Sequence, residues 1–171
     1  MRKLVVVVTA FAALAAAAAL SAAGANTISF TLLAPGPLTI SAPTSNVSLG
    51  SQVSLNVAST ISGQLGTVTV SDERGGTRTW IASVIATAFD PAVAGTSLAA
   101  SAISYSAGAI TFTGGAAGTA VAAPSLSGVS PVVNGSGVGI GTASWNPTIS
   151  VAVPANFAAS VYTSTITHSV A

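Results

Sequence analysis

"GTVTVSDERGGTRTWIASVIAT", residues 66–87, poses the fold question in miniature. Its ends, "TVTV" and "TWIASV", are rich in β-branched and aromatic residues and read as strands. The Asp72 to Arg78 segment between them is predicted to connect a β-hairpin, with Gly75 and Gly76 supplying the positive φ that tight turns need. Asp72, Glu73, Arg74 and Arg78 lie in this connection, and only Asp90 adds a charge elsewhere beyond residue 3. Such a concentration invites reading as an active site. The structural alternative is an ion pair of Asp72 with Arg74 or Arg78 across the base of the loop.

Outward from this stretch the dominant period is two, the period that sends alternate side chains to opposite faces of a strand. Ile28, Phe30 and Leu32 alternate with Thr27, Ser29 and Thr31; Val53, Leu55 and Val57 alternate with Gln52, Ser54 and Asn56; Ile149, Val151 and Val153 alternate in "TISVAV". Further strands are expected in "AISYS", "AITFT" and "SVYTSTITHSV". Turn formers punctuate them at Pro35-Gly36-Pro37, Gly114-Gly115 and Asn146-Pro147. The fold class expected is all-β: a single Ig-like or Greek-key-like β-sandwich of about eight or more short antiparallel strands. Residues 114–141, rich in Gly, Ala and Ser, are expected to form a flexible segment of long loops, with one strand around Pro131 to Val133.

The beginning of the chain sets the compartment. A basic "MRK" precedes the apolar run Leu4 to Leu20, and Ala23-Gly24-Ala25 offers a small-residue cleavage pattern. This is the layout of a secretory signal peptide, helical in its apolar run, over residues 1–25; a retained membrane anchor is the competing reading. The mature domain is then 26–171, with no transmembrane segment after cleavage. The closing "THSVA" has no sorting signal, so attachment to a surface is expected to be non-covalent.

Cleavage removes Arg2 and Lys3, leaving two arginines against three carboxylates and no lysine, for a net charge of −1. No basic patch exists to neutralise phosphates, which excludes nucleic acid as an expected partner. There is no cysteine to staple the fold. The high apolar content and low charge are the reverse of a disordered composition. Sparse charge and missing lysine also leave strand edges unguarded against self-association.

Catalysis would have to draw on one histidine, two aspartates and one glutamate. His168 could in principle join Asp72 or Asp90 and a serine, but no Gly-x-Ser-x-Gly elbow is present. Asp72 and Glu73 would point to opposite faces of a strand, which does not suit a pair of glycosidase carboxylates. One histidine without cysteine builds no zinc shell, and the carboxylates lack calcium-loop spacing. The chain is therefore expected to be no enzyme, with no metal and no cofactor. Trp80 is expected in the core. Trp145, beside Asn146-Pro147, is a candidate platform for a sugar ring. Tyr162, Ile166 and Val170 are expected on one face of the last strand with Ser164 and His168.

"VTVSDERGGTRTWIASV" followed by "VYTSTITHSVA" resembles the two sequence blocks of the WxL domain of Gram-positive surface proteins. Asp72, Arg74, Gly75 and Trp80 match the first block; Tyr162, Thr165, Ile166 and Thr167 match the second. The triplets themselves read Trp80-Ile81-Ala82 and His168-Ser169-Val170, so leucine is absent from both and His168 stands in place of the second tryptophan. The terminal Thr-His-Ser is similar to that of small secreted actinobacterial proteins. The resemblance implies an extracellular all-β domain that attaches non-covalently to peptidoglycan and works within surface complexes. The expected function is thus a secreted, non-enzymatic cell-surface or cell-wall protein, binding peptidoglycan, another wall glycan or partner proteins. Its candidate binding and structural residues are Asp72, Arg74, Arg78, Trp80, Trp145, Tyr162 and His168. The alternatives are a self-assembling or adhesin-like surface subunit and, last, a secreted hydrolase.

Overall fold

The computed structural model describes residues 28–32 and 35–171, in a chain that divides into two compact units, Met1–Ala34 and Pro35–Ala171. The expected signal peptide and its cleavage site lie outside the described residues. In the first unit, Ile28, Phe30 and Leu32 belong to no strand and are 86%, 75% and 84% exposed. Alternation specifies which face a strand would bury, but a strand also needs a neighbour for its backbone groups, and the sequence alone does not name one.

The second unit is all-β. Its strands are β1 (Leu38–Ser41), β2 (Ser59–Gln64), β3 (Val68–Asp72), β4 (Thr77–Ala86), β5 (Asp90–Pro91), β6 (Ile103–Ser106), β7 (Ile110–Ala120), β8 (Ser130–Trp145), β9 (Thr148–Val153), β10 (Tyr162–Thr163) and β11 (Ile166–Val170). One 3-10 turn, Ala100–Ala102, precedes β6, and no α-helix occurs among the described residues.

Strand β8 organises the larger sheet. Along one edge it pairs with β7, from Ile110 opposite Trp145 to Ala120 opposite Val133. Along the other edge it pairs with both β3 and β4: Val68 to Asp72 lie opposite Trp145 to Gly141, and Thr77 onward lies opposite Val138 and below. Strands β3 and β4 thus follow one another along one edge of β8 and do not pair with each other, which corrects the expected hairpin. The charged segment is a bulge that leaves the ladder and returns to it, with Gly75 and Gly76 at φ of 69° and 70°. The positive φ was legible; its use was not. Beyond this row, β1 pairs with β3 and β11 pairs with β4.

The smaller sheet has the order β2, β9, β6, and β5 pairs with β10 in a two-stranded ribbon. Asn146 and Pro147 carry β8 into β9, while Leu65 to Thr67 carry β2 into β3 alongside. Leu65 N–H donates to the Pro147 carbonyl at 3.0 Å, Gly66 N–H donates to Asn146 Oδ1 at 3.0 Å, and Asn146 Nδ2 donates to Gln64 Oε1 at 2.9 Å. One antiparallel ribbon therefore turns a corner from the smaller sheet into the larger. The core lies between the sheets: Val68, Val70, Trp80, Ala82 and Val84 form one buried cluster with Ile103, Tyr105, Ile149, Val151 and Leu126. This is a sandwich-like all-β arrangement.

Two further expectations are corrected. Gln52 to Val57 forms no strand and is exposed. Its groups bond to another irregular segment, Leu55 carbonyl to Asn156 N–H at 2.7 Å and Ser54 Oγ to the Phe157 carbonyl at 2.6 Å. Residues 114–141, expected as long loops, supply most of β7 and β8, the two longest strands. Their glycines have a packing reason. Gly135 lies directly opposite Trp80, and a Cβ there would fall on the indole ring. Gly114 and Gly115 sit where β7 bulges against Val138 and Ile140, close enough that a side chain would strike backbone carbonyls. A second bulge, between Ala82 and Ser83, lets adjacent Val132 and Val133 both be buried.

Gly135→Ala should therefore force Trp80 out of its seat. We expect a loss of about 1–3 kcal/mol, the usual cost of overpacking, read by urea unfolding. A red shift of tryptophan fluorescence in the folded variant should accompany it.

Candidate functional site

The seven candidate residues separate into three places. Arg74 lies in the bulge between β3 and β4, with Asp72 at the end of β3 and Arg78 near the start of β4. Arg74 Nε donates to Asp72 Oδ1 and Nη2 to Oδ2, each at 2.9 Å, and the Arg74 backbone N–H donates to Oδ1 at 3.1 Å. Arg74 Nη2 also donates to the Thr79 carbonyl at 3.0 Å. The guanidinium thus straps the residues before the excursion to those after it. Asp72 is only 5% exposed, and its carboxyl is held below the usual carboxylate range, chiefly by the Arg74 side-chain hydrogen bonds. Arg78 is exposed and adds a weaker attraction. A bidentate carboxylate with its lone pairs committed is a structural clamp, not a general base.

Trp80 and Trp145 are both core residues, each 2% exposed. Burial removes Trp145 as a platform for a sugar ring. Its Nε1–H donates to the Tyr105 hydroxyl at 2.8 Å, and that oxygen lies 3.2 Å from His168 Nε2. The three residues come from β8, β6 and β11, so the chain of hydrogen bonds ties the larger sheet to the smaller one. With the phenol oxygen accepting from Trp145, its own proton is free to donate to an unprotonated Nε2. The electrostatics agree, since burial pushes Tyr105 up to about 12 and lowers His168 below its ordinary value. The Tyr105 and His168 rings meet edge to face at 5.6 Å. Tyr105, which completes this chain, carried no signal in the sequence beyond its place in a strand.

His168 and Tyr162 meet at a cleft of about 390 Å³. The alternation expected for the last strand is present: Tyr162, Ser164, Ile166, His168 and Val170 are each half-buried while their neighbours are exposed. One wall is the irregular stretch Pro43 to Leu49, and the other is the run from Tyr162 to Ile166. Leu49, Leu65, Phe89 and Ile149 supply apolar surface, and Thr44, Ser45, Asn46, Thr163 and Thr165 supply hydroxyls and an amide. No charged side chain lines it among the described residues. Tyr162 packs against Phe157 at 5.2 Å and donates its hydroxyl to the Ala158 carbonyl at 2.9 Å, so its ring is held in place. Sequence reading missed the wall from Pro43 to Leu49, because an irregular segment acquires a role only through what it is folded against.

The ionisable groups set two acid transitions. His168 is the only histidine in the sequence. With its folded value lowered from 6.5, the unfolded chain takes up a proton first; the stability linked to it is complete above about 6.5 and is lost as pH falls from there toward the folded value. Asp72 contributes fully above its ordinary 3.8 and is lost as pH falls through its lowered value. Tm measured from neutral pH downward should fall in two stages, His168→Gln removing the upper and Asp72→Asn the lower. Tyr105→Phe should cost about 1–3 kcal/mol in denaturant unfolding, because it strands the buried indole N–H of Trp145. Compared with protein families, with curated proteins and with solved structures, the chain matches none.

Proposed function

We propose that the chain is a secreted, non-enzymatic binding domain of the cell surface, and that the cleft between Pro43–Leu49 and Tyr162–Ile166 holds an uncharged ligand such as a wall glycan. The observation that carries this reading is the lining itself: apolar side chains and a fixed tyrosine ring together with hydroxyls and an amide, and no charged side chain. Neutral sugars are bound by this combination, which offers aromatic and apolar surface to C–H faces and hydrogen-bonding groups to hydroxyls. The non-enzymatic reading is supported by the commitments of the ionisable groups. His168 Nε2 faces a phenol rather than a serine, and Asp72 is committed to Arg74. The finer fold reading that accompanies this function is an Ig-like or Greek-key sandwich related to the WxL domain. It is supported by Trp80 seated in the core directly after the Asp72–Arg74 strap, and by the alternating terminal strand that brings His168 to the cleft.

The chain from Asn26 to Ala171, mixed with isolated peptidoglycan sacculi with and without their secondary glycan polymers, should co-sediment saturably. Thr163→Arg, an exposed change on the cleft wall, should abolish binding while leaving the unfolding curve in place. Failure of the folded wild type to bind any sacculus preparation, or binding that Thr163→Arg leaves intact, would refute the cleft as a glycan site.

A further inference from the structure

We propose that the segment Ile28–Leu32 of one copy adds as a strand to the open edge of β7 on a second copy. Strand β7 runs for eleven residues and pairs with β8 along one edge only. Among the described residues no strand pairs with its other edge. Edges of this length are normally guarded by lysine, proline or another inserted charge. Residues 110–120, "ITFTGGAAGTA", contain none of these, and from Gly114 to Gly118 the side chains are no larger than a methyl group. Only the bulge at Gly114 and Gly115 interrupts it.

The occupant is argued from the first unit. Ile28, Phe30 and Leu32 form a strand-period apolar row that is left more exposed than any row of the β-domain. Strand β7 has the matching alternation: Ile110 and Phe112 are half-buried on its inner side, and Thr111 and Thr113 are exposed on its outer side. A strand added there with Ile28, Phe30 and Leu32 inward would cover the remaining surface of Ile110 and Phe112. Ser29 and Thr31 would then lie among threonines on the outer side. Neither strand carries a charge, so nothing opposes their approach. Each copy has one such donor and one such acceptor, and the contact is therefore heterologous, extending copy to copy as an open fibre or closing as a ring. The edge is separate from the cleft of Tyr162 and His168, so the proposal stands or falls independently of glycan binding.

The test uses the chain from Asn26 to Ala171. Sedimentation velocity should show species growing with concentration, and Phe30→Asp, at an exposed position, should abolish that growth while leaving the unfolding curve unchanged. Because the chain has no cysteine, pairing can be trapped at chosen points. A Ser29→Cys copy mixed with Thr111→Cys, Ala117→Cys or Thr119→Cys copies should yield a disulfide-linked dimer with at least one of the three under mild oxidation. Adding Phe30→Asp to the Ser29→Cys copy should suppress it. A wild type that remains monomeric at every concentration overturns the proposal. So does association that Phe30→Asp leaves intact, or the absence of crosslinks to all three β7 positions.

Discussion

The backbone ladder on both edges of β8 is the constraint on which the rest of the structure depends. A strand paired on both sides can bulge or kink only where its neighbours yield, and here the yielding is assigned to glycine. Gly135 makes room for Trp80, and the Gly114–Gly115 bulge accommodates the chain around Ile140. On the opposite edge, Glu73 to Gly76 loop out, and the Asp72–Arg74 pair keeps β3 and β4 aligned across the gap. A strand with glycine at 135, 137, 139 and 141 thus becomes the best-connected one, because close approach of backbones is what the sheet needs there.

The second tie runs between sheets. Trp145, Tyr105 and His168 each present a polar atom that burial would penalise alone, and each finds its partner in the next. The result is a short polar chain through an otherwise apolar interior, ending at the cleft. Charges beyond residue 3 are few, and both arginines there lie close to one bulge, Arg74 within it and Arg78 just after it, with Arg74 holding it.

Much of the strand content was legible because alternation survives wherever one face is buried, as in β3, β4, β6, β9 and the terminal β11. Ile28 to Leu32 and Val53 to Val57 show the limit, since the same pattern occurs there without pairing to a strand among the described residues and produces no strand. The opposite error fell on residues 114–141, where composition suggested loops: small residues weaken a strand locally, yet this pair gains from its neighbours on both sides of β8. Of the site, Tyr162 and His168 were visible on one face of one strand. Tyr105 and the stretch from Pro43 to Leu49 were not, because Tyr105 meets His168, and that stretch meets the cleft, only through tertiary contacts over long sequence separations. The tryptophans show the same gap between type and place, since an indole beside Asn-Pro suggests exposure until the turn proves to be the corner between two packed sheets.

The late position of β8 in the chain has a consequence for the order in which the protein takes shape. Of all the strand pairings in the β-domain, only β1 with β3 joins partners that both precede residue 130; every other ladder waits for β8, β9, β10 or β11. A fold so dominated by distant pairings closes slowly and late. A chain made available N-terminus first would hold one short ladder at most until residues 130–145 had joined it. Its topology keeps the chain open for most of its length and lets it set hard only once its last quarter is in place.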